Sequence, residues 1–150
     1  MKRIEAVLRD KPDVFEPEDD PAALREKGKQ CAADGDPVGA RKFFTFASVL
    51  GDRDAHVLLA KLYEREERLG DARDLYALAH LKGDASALPE YARLLTRTDE
   101  KAGLDLLKLH AIEGNPDCIR ELIAFYKNSG EQREVKFWSN WLERVKKTER

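Results

Sequence analysis

The chain has 150 residues, 42% hydrophobic and 37% charged, enough to bury a sizeable core within one ordinary domain length. Its 27 basic and 29 acidic residues nearly cancel to a net charge of -2, which excludes both a disordered polyelectrolyte and a globally basic nucleic-acid binder. No apolar run approaches the roughly 20 residues of a membrane span, Glu5 falls where a signal peptide needs its apolar centre, and Cys31 and Cys118 form neither a Cys-x-x-Cys pair nor a disulfide framework, so a cytoplasmic protein is expected.

Residues 1–19 hold a short amphipathic stretch (Ile4, Val7, Leu8) and an acidic, Pro-containing run, Asp13-Val14-Phe15-Glu16-Pro17-Glu18-Asp19. This is a lead-in that reads either as a linker or, the expectation favoured here, as a short helix capping the first hairpin. From Asp20 onward the chain is periodic. Gly51-Asp52, Gly83-Asp84 and Gly114-Asn115 recur at separations of 32 and 31 residues, and Asp20-Pro21 stands 31 residues before the first. Each unit carries two apolar patterns of helical period, and no alternating strand pattern is present.

In the first unit Asp20-Pro21 reads as an N-cap followed by a first-turn proline, with Leu24, Gly28 and Cys31 on one face. Gly35 ends that helix, Asp36-Pro37 restarts the chain, and Ala40, Phe44 and Ala47 form the next inward stripe. The second unit repeats this with Ala55, Leu59, Leu62 and Tyr63, a turn at Leu69-Gly70-Asp71, then Ala72, Tyr76 and Ala79. The third has Ala87, Tyr91, Ala92 and Leu95, a turn at Thr98-Asp99, then Gly103, Leu106, Leu107 and His110. The fourth has Ile119, Leu122, Ile123 and Tyr126, then Val135, Trp138 and Leu142 after Gly130. The pattern predicts helices over 21–34, 37–50, 53–67, 70–82, 86–97, 99–113, 116–128 and 131–147. Close helix contacts are expected where Gly28, Ala60 and Ala92 meet Ala40, Ala72 and Gly103. The chain thus divides into a lead-in (1–19), a repeat region (20–144) and the end of the last helix (145–150).

The spacing of Gly28, Gly35-Asp36, Ala40, Phe44 and Ala47, and of Leu59-Ala60, Tyr63, Ala72, Tyr76 and Ala79, resembles that of the tetratricopeptide repeat. The junction from Phe44 through Ala47 and Gly51 to Ala55, with counterparts ending Gly83 to Ala87 and Gly114 to Cys118, is similar to the aromatic-x-x-Ala-x-x-x-Gly-x-x-x-Ala signature of Sel-one-like repeats. The longer Gly-Val loop of that subfamily is missing. The resemblance implies an all-α, right-handed α-solenoid of about four helix-turn-helix repeats that binds other proteins, with no catalytic residue to carry over.

No enzyme chemistry is visible in the residues themselves. His56, His80 and His110 sit in different predicted helices without metal-ligand spacing, Cys31 occupies a core position, and no phosphate loop or activated serine motif occurs, so no cofactor and no metal are expected. If the first helix of each hairpin lines the concave side, matching the repeats gives 20 groove positions. Their basic members are Arg25, Lys29, Lys61, Arg65, Arg93, Arg97, Arg120 and Lys127 against three acids, a basic enrichment in an otherwise acidic chain. Such a groove suits an acidic or extended protein segment, or a carboxylate. None of the 20 positions is aromatic, which disfavours nucleic acid. The competing account is a set of ordinary solvated helix faces. The last helix places Val135, Trp138 and Leu142 on one face and Phe137 and Trp141 on another. The second face either folds over the preceding helix or, with Phe137, Trp138 and Trp141, forms a contact with a second copy or another protein.

Overall fold

Side-chain caps open five of the eight helices in residues 20–149, the part of the chain that the computed structural model describes, and the helices after Arg68, Ser86 and Glu131 start without one. Eight α-helices occur among these residues: α1 Pro21–Ala33, α2 Pro37–Val49, α3 Arg53–Arg65, α4 Leu69–Leu81, α5 Ala87–Thr98, α6 Glu100–Ile112, α7 Pro116–Ser129 and α8 Gln132–Thr148. The side chain of Asp20 accepts from the Ala23 N–H at 2.9 Å, Asp36 from Gly39 at 2.9 Å, Asp52 from Ala55 at 3.2 Å and Asp99 from Ala102 at 3.1 Å. Asn115 accepts from both Asp117 and Cys118. Each satisfies donors that the first helical turn leaves without an intrahelical partner. The helices pair as the period predicts: α1 with α2, α3 with α4, α5 with α6 and α7 with α8. The expected capping helix in 1–19 lies outside the described residues.

The turn of the second hairpin differs from expectation. Gly70 lies inside α4, and Glu67 takes the left-handed conformation instead, at φ 60. The Arg68 N–H donates to the Tyr63 carbonyl at 2.8 Å and the Arg68 guanidinium stacks 4.3 Å from the Tyr63 ring centroid. Asp71, one turn into α4, accepts from Arg68 at 2.9 Å. These contacts fix Arg68 as the residue before α4 and leave the strained position to Glu67. In the third hairpin a single residue, Asp99, separates two helices: its N–H closes α5 on the Leu95 carbonyl at 2.8 Å while its carboxylate opens α6.

The helices group into two compact units divided between Asp84 and Ala85. In the first, Phe43, Ala47 and Ala55 gather around Leu24, and Ala40, Phe44 and Leu62 around Leu59. Gly28 is required by packing, since a Cβ there would stand 2.5 Å from the Phe44 ring. In the second unit one cluster runs from Leu88 and Ala92 through Leu107, Ile119, Leu122 and Tyr126 to Trp138, Leu142 and Val145. Here Gly103 admits the backbone of α5: a Cβ would lie 2.5 Å from the Thr96 nitrogen. One inward assignment on α5 is corrected: Leu94 is buried and Leu95 only half-buried, so the packed face runs through Leu88, Ala92 and Leu94.

Candidate functional site

The eight basic residues singled out from the sequence fall into two classes when their neighbours are known. In the first unit Arg25 projects from α1 to Asp52, the cap of α3, with Nη1 at 2.7 and 2.8 Å from the two carboxylate oxygens and 3.6 Å from Asp54. The hydrogen bond to Asp52 raises the Arg25 pKa above its ordinary value against the opposing effect of burial. Arg25 therefore ties two hairpins of this unit together. Lys29 is 3.1 Å from Glu26, one turn back on the same helix. Lys61 and Arg65, on α3, are exposed and have no carboxylate partner among the described residues.

The second unit repeats the division. Arg93 is 2.6 Å from Glu90 and Arg120 is 2.8 Å from Asp117, each an i,i+3 pair. Arg97 and Lys127 are exposed and unpaired among the described residues. Arg93 and Arg97 come together in a cleft of about 310 Å³ between α5 and α7, floored by Leu107 and Phe125 and walled by Thr96, Glu121 and Asn128. Lys127 lies instead in an open hollow of about 570 Å³ with Arg133 and Lys136, two cations that repeat matching did not select because they belong to a second helix of a hairpin. Arg120 lines neither.

The aromatic residues of α8 are likewise sorted. Trp138 is buried, and Phe137 meets it edge to face at 5.0 Å. Trp141 is half-buried and its indole N–H donates to the Ala111 carbonyl at 2.7 Å, so it folds over α6. Phe137 is 58% exposed. Other exposed apolar side chains recur at one repeat position at the end of the second helix in the first three hairpins: Val49, Leu81 and Ile112.

Among the described residues no group of three or more His, Cys, Asp or Glu side chains is placed to hold a metal ion. Burial pushes the Cys118 thiol up to about 12, far from a reactive thiolate at neutral pH. No helix among them is long and apolar enough to cross a membrane.

No family model matches the sequence, and no curated protein matches it. The fold does have a solved counterpart: the crystal structure of MamA, a tetratricopeptide-like helical repeat protein, superposes with a TM-score of 0.67 at 14% sequence identity, covering 99% of this chain and 87% of that one. The protein has an all-α, tetratricopeptide-like helical-repeat fold.

Proposed function

We propose that this protein is a non-catalytic, cytoplasmic protein-interaction module of the adaptor or chaperone-like kind, recognising an acidic segment of its partner. The observation that supports this most is the state of Lys61, Arg65 and Arg97: they stay exposed without carboxylate partners in a chain with 29 acidic residues, while neighbouring Arg25, Lys29 and Arg93 are each beside an acid. An unpaired guanidinium or ammonium on a rigid helix keeps its donors for a ligand carboxylate. Each exposed contact contributes roughly 0.2–1 kcal/mol, so recognition is multivalent and salt-sensitive. The junction pattern around Gly51, Gly83 and Gly114 favours the Sel-one-like branch of the fold.

The test is titration of a fluorescent Glu-rich peptide, with a Lys-rich peptide as control, against the natural chain and the double variant Lys61→Glu with Arg65→Glu. Binding of the acidic peptide that falls with salt and is lost in the variant, with helicity unchanged, supports the reading. Equal binding of both peptides, or binding indifferent to the reversal, rejects it. A second reading, self-association, is favoured by the exposed ring of Phe137. Light scattering against protein concentration decides it.

A further inference from the structure

Leu24, His56, Leu88 and Ile119 occupy one position of the repeat, spaced by 32, 32 and 31 residues, and all four are buried. Three repeats fill this core position with an aliphatic side chain, and the second fills it with a titratable one that is only 1% exposed. The His56 Nδ1 lies 2.5 Å from the Ser48 hydroxyl of α2, and its Nε2 is buried with no hydrogen-bond partner among the described residues. Ser48 of α2 bonds the ring, and two charges act on it from a distance: the cation Lys82, which follows α4, and the acid Asp52, which precedes α3. Asp52 is already committed to Arg25 of α1 and to the Ala55 N–H.

We propose that His56 is a pH-sensitive switch in the packing of α3 against α2, closed with the imidazole neutral and opened by its protonation. The neutral ring fits: one nitrogen bonds Ser48 and the other leaves at most one buried group unpaired. The imidazolium has two donors, and the one at Nε2 faces no acceptor. A buried charge then lacks both solvent and an available counter-ion, with Lys82 adding repulsion. Burial first, and Lys82 second, accordingly hold the His56 pKa below its ordinary value of 6.5, with Asp52 opposing. For a depressed folded value the sign is fixed. Above 6.5 both states are neutral and stability is complete, whereas between 6.5 and the folded value only the unfolded chain takes the proton, so stability is lost as the pH is lowered.

The experiment uses the full chain. The imidazole of His56 is titrated by NMR, and urea unfolding is followed through amide signals of α2 and α3 at about pH 7.5 and about pH 5.5, for the natural chain and His56→Leu. The variant carries the side chain that the first and third repeats use at this position. The ring is expected to titrate below 6.5, and the folding equilibrium constant of the natural chain to drop relative to the variant by up to about tenfold per pH unit through that window. Contributions of His80, His110 and the carboxylates cancel in the comparison. A ring that titrates at or above 6.5, or parallel pH curves for the two proteins, overturns the proposal. Should His56→Leu fail to fold, the titration of the natural chain and His56→Gln, which keeps a hydrogen bond to Ser48 without a titrating group, decide the matter in the same way.

Discussion

The two units build helical hairpins on the same 31 to 32 residue period from different adhesives. In the first, Ala, Phe and Leu side chains form modest apolar groups around Leu24 and Leu59, and polar ties cross between helices: Arg25 to Asp52, Arg41 to Glu66 at 3.0 Å, Tyr76 to Glu64 at 2.7 Å and Ser48 to His56. In the second, one apolar cluster reaches from Leu88 to Val145, the ties between helices include Trp141 to the Ala111 carbonyl and Lys108 over the Tyr126 ring, and the ion pairs Arg93–Glu90, Arg120–Asp117 and Lys146–Glu143 stay inside single helices. The contrast matters because the two kinds of contact answer to different variables. Apolar burial is nearly indifferent to salt and to mild changes of pH, whereas partly buried ion pairs and a buried histidine respond to both.

The largest effect is expected where the apolar unit is attacked at its centre. Trp138→Ala removes a 4%-exposed indole that touches the cluster from the last helix, and should cost about 3–5 kcal/mol in the stability of α5–α8, read from amide exchange. This cost should be the same at low and high salt. A cost that shrinks with salt would mean that the second unit is held by charge after all.

Next come the close helix contacts, which both units share. Gly103→Ala in the second unit puts a methyl 2.5 Å from the Thr96 nitrogen, and Ala60→Leu and Ala72→Leu in the first enlarge side chains that have no exposed surface. Overpacking of this kind costs about 1–3 kcal/mol, and denaturant midpoints should fall in all three variants. An unchanged midpoint in any of them places that residue away from a helix contact.

The polar ties of the first unit come third, and they are ordered among themselves. Asp52→Ala removes both the cap on Ala55 and the partner of Arg25, at about 2 kcal/mol, whereas Arg25→Ala leaves the cap in place and should cost about 1 kcal/mol. Raising the salt concentration should reduce the Arg25→Ala penalty and leave most of the cap contribution. Equal penalties for the two variants would show that the cap contributes nothing.

How far this contrast can be read from sequence depends on which physical demand a residue answers. A backbone at φ between 78 and 99 strongly favours glycine, so Gly35, Gly51, Gly83 and Gly114 announce the period and with it the hairpins. The same demand at Glu67 leaves no trace, because a non-glycine residue accepts the strain there and Gly70 nearby gives a false signal. Inward faces are legible where apolar residues recur cleanly, as at Leu24, Leu59 and Leu122, and ambiguous where two leucines adjoin, as at Leu94 and Leu95. The candidate site is only half legible. Repeat matching finds the basic positions but has no information about which carboxylate folds beside each one, so Arg25 and Lys61 look alike in sequence and differ in the structure. His56 carried a usable signal: alignment with Leu24, Leu88 and Ile119 marks it as a core position holding a titratable group.

The smallest expected effect on stability comes from the residue at the edge of the apolar unit. Phe137 shares its helix with Trp138 and Trp141, but Trp138 is packed and Trp141 is tied to the Ala111 carbonyl, which leaves the Phe137 ring with an edge contact to Trp138 and open water beyond. Phe137→Ala should therefore shift the stability of the second unit by no more than about 0.5 kcal/mol, while Trp141→Ala, which removes a half-buried ring and its bond to the Ala111 carbonyl, should cost about 1–3 kcal/mol. The two variants separate packing from association. If the exposed ring joins two copies, Phe137→Ala lowers the scattering mass at high protein concentration without moving the denaturant midpoint, and Trp141→Ala moves the midpoint at every concentration. A scattering mass that does not change with concentration in the natural chain, or that is the same in Phe137→Ala, removes self-association through this helix from the account of the protein.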